Sequence, residues 1–187
     1  HLKYSCLNPE ATTRTPIKKS YSTVLMSGTL TPTDMYNDLL GIDEEKNVTK
    51  EFKSPFPSEN KTELVIPTLT TKYSERDESM TQKYAWYLSK SLEEIPGNAA
   101  AFFPSYSYME DVKDQLKMHT DRRIFVEKPQ MDKEEKQKTL DRFKDRKDEG
   151  DAVLLGVTAG SFGEGIDFPG EILKAVFIIG LPLQRPD

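Results

Sequence analysis

AAAFFPSYSYMEDVKDQLKMHTDRRIFV, residues 99–126, reads as strand, turn, helix and strand in immediate succession. The apolar run 99–103 is broken by Pro104 and Ser105. Residues 106–117 then set Met109, Val112 and Leu116 on one helical face, and a second apolar run follows at 123–126. Upstream, residues 80–95 repeat Tyr84, Leu88, Ser91, Leu92 and Ile95 at three- and four-residue spacing before Pro96-Gly97-Asn98 ends the helix. Downstream, 132–147 is a charged helix with a thin apolar stripe of Leu140 and Phe143, and 151–157 and 175–180 are continuous apolar strands. Such strands alternating with amphipathic helices predict an α/β fold, with a mainly parallel sheet covered by helices on both faces.

The first third is less regular. Residues 1–8 read as a short strand and turn ending at Asn8-Pro9, and 12–20 as a polar, basic loop or short helix. The run 22–26 reads as a strand that stops at Ser27-Gly28-Thr29. Thr33 and Asp34 can cap a helix through Leu40, with Met35, Tyr36, Leu39 and Leu40 on one face and Gly41 as the stop. Residues 53–61 form a turn-rich connector, and 63–66 a strand closed by Pro67.

A 187-residue chain fits one domain with remnants of a second. Its net charge of −5 suggests no nucleic-acid coat, although a local groove binds a strand whatever the bulk charge. The longest apolar runs, 152–156 and 175–181, are far too short to cross a bilayer, and no secretory signal opens the chain. Cys6 is the single cysteine, which excludes an intramolecular disulfide framework and fits a reducing cytoplasm or nucleus. With His1 and His119 the only histidines, no metal site is expected. The chain opens on His1 without an initiator Met, so an excised piece of a longer protein is expected.

In open parallel sheets, ligands gather at the carboxyl ends of strands. Three segments fall there. The richest is VTAGSFGEGIDF, residues 157–168. Gly160, Gly163 and Gly165 permit close backbone approach to a ligand, and backbone N–H groups with the Thr158 and Ser161 hydroxyls can hold phosphate oxygens. Glu164 and Asp167 would repel a polyphosphate at contact distance. They suit ribose hydroxyls, hydrated Mg²⁺ or an arginine of a partner lobe instead. A loop with hydroxyls at one end and carboxylates at the other suits two different ligands, whereas the glycines alone would equally fit a ligand-free turn.

The second segment, FFPSY at 102–106, leads a strand into a helix. Ser105 can cap that helix, whose free N–H groups can take a nucleic-acid phosphate, and Tyr106 offers a ring for a base to stack on. A plain cap beside a half-buried tyrosine explains the same residues. The third, SGTLTP at 27–32, places small hydroxyl residues in a turn and could also be an ordinary one. No GxxxxGK[ST] phosphate cradle occurs in the chain. Asp77-Glu78 lacks a preceding apolar strand and reads as a helix start, Arg185 sits after a proline in a loop, and two histidines assemble no catalytic triad.

Taken in order, SGTLTP (27–32), SPFP (54–57), PGNAAAFFPSY (96–106) and TAGSFGEGIDF (158–168) closely resemble the XPD family of superfamily 2 DNA helicases, and LPLQRPD (181–187) resembles the start of that family's next segment. The resemblance runs over essentially the whole chain. It implies a RecA-like three-layer lobe at 31–187, cut before the arginine-finger motif, preceded by residues 1–30 from the end of the first lobe and the inter-lobe junction. It implies a parent protein that hydrolyses ATP with Mg²⁺ and moves along single-stranded DNA, 5′ to 3′, in repair. The resemblance assigns Gly163, Glu164, Gly165 and Asp167 to the nucleotide-facing end of the loop. It assigns Ser105, Tyr106, Thr158, Gly160 and Ser161 to the DNA path, and Ser27, Gly28 and Thr29 to the junction. The P-loop, the acidic pair and the cysteines of an iron–sulfur cluster belong to the first lobe, since Cys6 alone holds no cluster. The fragment alone is therefore expected to bind no cofactor and to be catalytically silent. Partners implied are single-stranded DNA, the first lobe and repair-complex proteins, without a membrane, in the cytoplasm of a prokaryote or the nucleus of a eukaryote. The family often carries a basic residue where this chain has Ala159, so no phosphate contact is expected there. Two rivals stay open: a related superfamily 2 motor acting on other DNA structures or RNA, and a motor lobe turned docking module for a repair partner. Docking would not require Gly163, Glu164, Gly165 and Asp167.

Overall fold

A computed structural model describes residues 6–149 and 152–181. The chain divides into two compact units, His1–Glu63 and Leu64–Asp187.

In the second unit the expected alternation is present. Helix α3 (Glu78–Glu94) leads into β1 (Ala99–Phe103), α4 (Tyr106–Leu116), β2 (Arg123–Val126), α5 (Lys133–Lys144), β3 (Ala152–Val157) and β4 (Ala175–Ile178). The strands form one all-parallel sheet in the order β2-β3-β1-β4, so β3 and β1 lie at its centre. This is the α/β architecture that the apolar runs predicted, and the β1 and β2 limits agree with the sequence reading.

Strand periodicity sends alternate side chains to opposite faces. Ala99, Ala101 and Phe103 of β1 with Val153, Leu155 and Val157 of β3 meet Tyr84, Leu88 and Leu92 of α3 and Met109, Val112 and Leu116 of α4. Ala100, Ala152 and Leu154 meet Phe125, Leu140 and Phe143 on the other face, where Phe162 and Phe168 of the following loop complete the cover. Alanines in β1 let the helices approach the sheet closely, and the larger side chains opposite fill the space.

Four polar residues fix the lower end and the helix starts. Asp77 and Asp132 cap α3 and α5 by accepting from the N–H groups of Met80 and Glu135 at 2.7 and 2.8 Å. Buried Asn98 donates to Phe143 O at 3.1 Å and accepts from Ala152 N at 3.3 Å, tying the starts of β1 and β3 to the end of α5. The Arg122 guanidinium donates to the Leu92, Ile95 and Gly97 carbonyls, which closes the carboxyl end of α3 with a cation.

β4 is more open than its sequence suggests. Ala175 and Phe177 pack on the α3–α4 side, but Val176 and Ile178 are 51% and 58% exposed. Among the described residues no element covers β4 on the α5 side.

The first unit contains α1 (Glu10–Lys19) and α2 (Thr33–Leu40), joined where Thr13 Oγ1 donates to Leu40 O at 2.8 Å. Gly41 ends α2 at φ 66°, as its position as a stop required. Asn37 is the only buried residue among those described here, and Met35 and Leu39 remain more than 40% exposed. The strands expected at 22–26 and 63–66 do not form, and residues 6–8 are not in a strand. A strand needs a neighbour for its N–H and C=O groups. Among the described residues neither segment has one, and Val24, Met26, Leu64 and Val65 are 79–88% exposed. Residues 1–5 of the expected first strand lie outside the described residues.

Candidate functional site

The carboxyl edge of the sheet brings three segments together. The N–H of Thr158, one residue past β3, donates to Phe103 O at 3.0 Å, which sets the start of the Gly-rich loop beside the end of β1. Ser105, two residues past β1, caps α4 by accepting from Tyr108 N at 3.4 Å. Glu127, one residue past β2, continues the ladder by donating its N–H to Leu155 O at 2.8 Å.

Local geometry explains the glycines of the loop. A Cβ on Gly160 would overlap the Glu127 carboxyl group, and one on Gly163 would overlap the Thr158 carbonyl oxygen. Gly165 has φ 71° and open space around it, so the backbone there can approach a ligand closely. Two short turns, Gly160 N to Val157 O at 2.8 Å and Gly163 N to Gly160 O at 3.3 Å, carry the chain between these positions. Phe162 and Phe168 anchor the loop in the core, with Phe168 edge-on to Phe143 at 6.0 Å.

The two ends differ chemically. Ser161, Glu164 and Asp167 are exposed, and Thr158 is half-buried. Among the described residues neither carboxylate has a hydrogen-bond partner, so both are available to a ligand. Gly163, Glu164, Gly165 and Asp167 thus form one open, acceptor-rich edge. It suits ribose hydroxyls or the water shell of Mg²⁺. The cradle for the phosphates themselves is absent from this sequence. Among the described residues no group of three or more His, Cys, Asp or Glu could hold a metal ion, and one exposed cysteine does not fit an iron–sulfur cluster.

Tyr106 is linked to Ser161 through the shared Glu127 carboxylate, and Ser105 follows the end of β1 to which Thr158 N is bonded. The Tyr106 hydroxyl is not free: it donates to Glu127 Oε1 at 2.9 Å, and its half-buried ring packs against the α3–α4 core. Burial, then the hydrogen bond to Glu127 and its charge, push that hydroxyl up to about 12. Ser27, Gly28 and Thr29 belong to the first unit, where Ser27 Oγ accepts from Thr29 N at 3.2 Å in an exposed turn.

Sequence reasoning missed three residues that hold the loop. Glu127 is fully buried and accepts from Val157 N at 2.9 Å and Ser161 N at 2.5 Å as well as from Tyr106. Its signal was a carboxylate placed directly after a strand. Lys136 and Lys144, two of the charges of α5, donate to the Ser161 and Asp167 carbonyls and lie over the Phe162 and Phe168 rings at 5.9 and 5.4 Å. Their spacing of eight residues puts both on one side of α5, the only hint the sequence offers.

Residues 88–187 match the family model described as the helicase C-terminal domain. Over 98% of its length the chain is 32% identical to the ATP-dependent DNA helicase CHL1 of Yarrowia lipolytica. It is 26% identical, over 98% as well, to the general transcription and DNA repair factor IIH helicase subunit XPD/RAD3 of Saccharomyces cerevisiae. In both cases it spans 25% of the relative's length. A solved structure named XPD_APO superimposes on 64% of this chain and 23% of its own, with a TM-score of 0.50 and 28% identity. The chain belongs to the helicase C-terminal domain family, in the group of the XPD and CHL1 helicases.

Proposed function

We propose that this chain is the second motor lobe of an ATP-dependent DNA helicase, and that residues 157–168 are its coupling loop. The carrying observation is the loop itself: a hydroxyl end tied through Glu127 to Tyr106 at the start of α4, and a carboxylate end whose Glu164 and Asp167 side chains are exposed while its backbone accepts from Lys144. Thr158, Gly160 and Ser161, with Ser105 and Tyr106 across the sheet edge, face single-stranded DNA. Gly163, Glu164, Gly165 and Asp167 face ATP and its Mg²⁺, which supply the hydrolytic chemistry when bound. Backbone N–H groups at the start of α4 suit phosphates of the strand. Ser27, Gly28 and Thr29 form the junction, residues 1–30 end the first lobe, and 31–187 form the second. The first lobe supplies the phosphate cradle, so these 187 residues alone have no ATPase activity.

The whole protein moves 5′ to 3′ on its strand and serves DNA repair, with repair-complex proteins as partners, a nuclear location in a eukaryote and an iron–sulfur cluster in the first lobe. Repair is supported by the name of the yeast XPD/RAD3 relative. No helix among the described residues is long and apolar enough to cross a membrane. The test is DNA-stimulated ATPase of the full-length protein carrying Glu164→Ala or Asp167→Ala. Each substitution should lower turnover by about 10- to 100-fold, the loss of one or two charge-assisted contacts. Wild-type turnover in both would overturn the assignment.

A further inference from the structure

Glu127 is a buried carboxylate that neither the nucleotide end nor the strand end of the loop requires for contact with a ligand. It is fully buried, and all three of its side-chain partners are donors: Tyr106 Oη and Ser161 N to Oε1, and Val157 N to Oε2. One partner opens α4 at the strand-facing edge, one ends β3, and one lies inside the loop. Gly160 and Gly156 both present their bare Cα atoms to the same carboxyl group, so two glycines leave room for it. A carboxylate that accepts at every contact cannot be replaced by an amide without conflict. In a glutamine the oxygen can face Tyr106 and Ser161 only by turning its NH₂ group against the Val157 N–H, or the reverse. The side-chain contacts of Glu127 end at Tyr106, Val157 and Ser161, and the carboxylate end is held separately by Lys144 and the Gly163 turn.

We infer that Glu127 is a positioning residue that locks the strand-facing end of the coupling loop to the first turn of α4, so that a strand bound against α4 moves this loop. The inference rests on the motor-lobe reading above. Tyr106 then serves the DNA path through its hydroxyl as the link to Glu127, with the exposed part of its ring left for the strand. Loss of the carboxylate releases the Ser161 N–H and loosens the loop there, while Thr158 keeps its bond to Phe103 O and the carboxylate end keeps its own anchors.

Two measurements on the full-length protein test this. In the first, amide hydrogen exchange over residues 157–163 should accelerate about tenfold in Glu127→Gln, with exchange in β1 and α3 unchanged; an unchanged loop overturns the lock whatever the protein does. In the second, the single-stranded DNA concentration for half-maximal ATPase should rise about tenfold in Glu127→Gln, with the KM for ATP moving less than twofold. Tyr106→Phe, which keeps two of the three donors, should raise it about two- to threefold. A general structural defect would lower kcat and leave both half-saturation values in place, and that result overturns the inference. If Glu127→Gln does not fold, Gly160→Ala crowds the same carboxylate from the opposite side and should give the same split. Absence of DNA-stimulated ATPase in the unsubstituted protein would instead sink the motor-lobe reading, and faster loop exchange in Glu127→Gln would then still establish the lock.

Discussion

Gly163→Ala is the substitution whose effect follows most directly from the coordinates. A Cβ at this position would stand 2.2 Å from the Thr158 carbonyl oxygen, where ordinary contact begins at 3.4 Å. The obstacle is backbone, and Thr158 is itself fixed by its N–H bond to Phe103 O at 3.0 Å. Relief therefore requires the loop to shift by about 1.2 Å (3.4 − 2.2) relative to the end of β3. Gly163 is exposed and outside both core clusters, so overpacking should cost global stability near the low end of the usual range, about 1 kcal/mol. A misplacement of about 1 Å at a catalytic constellation typically costs on the order of 10²-fold in rate. DNA-stimulated ATPase of the full-length protein should fall by about that factor while the denaturant midpoint barely moves. Gly165→Ala is the comparison: it meets nothing within 4 Å but has φ 71°, so its effect should come from backbone strain of about 1 kcal/mol without a collision. A folded Gly163→Ala protein with wild-type turnover would refute the reasoning that this turn sets the loop's geometry.

Other substitutions test the scaffold. Phe143→Ala removes a fully buried ring that packs edge-on against Phe125 and Phe168, and should cost about 3–5 kcal/mol by denaturant titration. A loss below about 1 kcal/mol would contradict its place in the core. Asn98→Ala takes the side-chain acceptor from Ala152 N while Phe143 O keeps the Arg146 N–H at 3.2 Å, and should cost about 1–3 kcal/mol for the one group left unsatisfied; a neutral outcome would show that water replaces the amide. The tyrosines give a pH dependence. Burial, with Glu127 as a further cause at Tyr106, raises Tyr106 to about 12 and raises Tyr84 and Tyr108 as well. The folded state therefore keeps protons that the unfolded chain loses near its ordinary value of 10.0. This contribution is complete below pH about 10 and is lost between about 10 and 12. The urea midpoint should decline over that window, and more gently in Tyr106→Phe; a flat midpoint would contradict the burial of these hydroxyls.

The central sheet was legible because its signal is local. Residues 99–103 and 123–126 are apolar runs bounded by breakers, and both became strands with those limits. Val112, Leu116, Leu140 and Phe143 were readable as inward faces because helical spacing alone selects them. Residues 22–26 and 63–66 carry the same β-branched and apolar character yet form no strand, since pairing depends on a neighbour that composition does not report. The exposed carboxylates Glu164 and Asp167 could be picked out by charge beside glycine. Glu127, Lys136 and Lys144 could not, because their roles arise from contacts 21–34 residues distant. Only the fold brings those partners to one edge.

If one loop joins the nucleotide to the strand, the coupling free energy between the two ligands measures that joint. Full-length protein should be titrated with a labelled single-stranded oligonucleotide, with and without a non-hydrolysable ATP analogue, in wild-type and Asp167→Ala forms. The analogue should change the wild-type Kd by about 5-fold or more, and Asp167→Ala should abolish this change while leaving the nucleotide-free Kd within about twofold. An Asp167→Ala protein whose DNA affinity responds to the analogue as fully as the wild type would refute that joint.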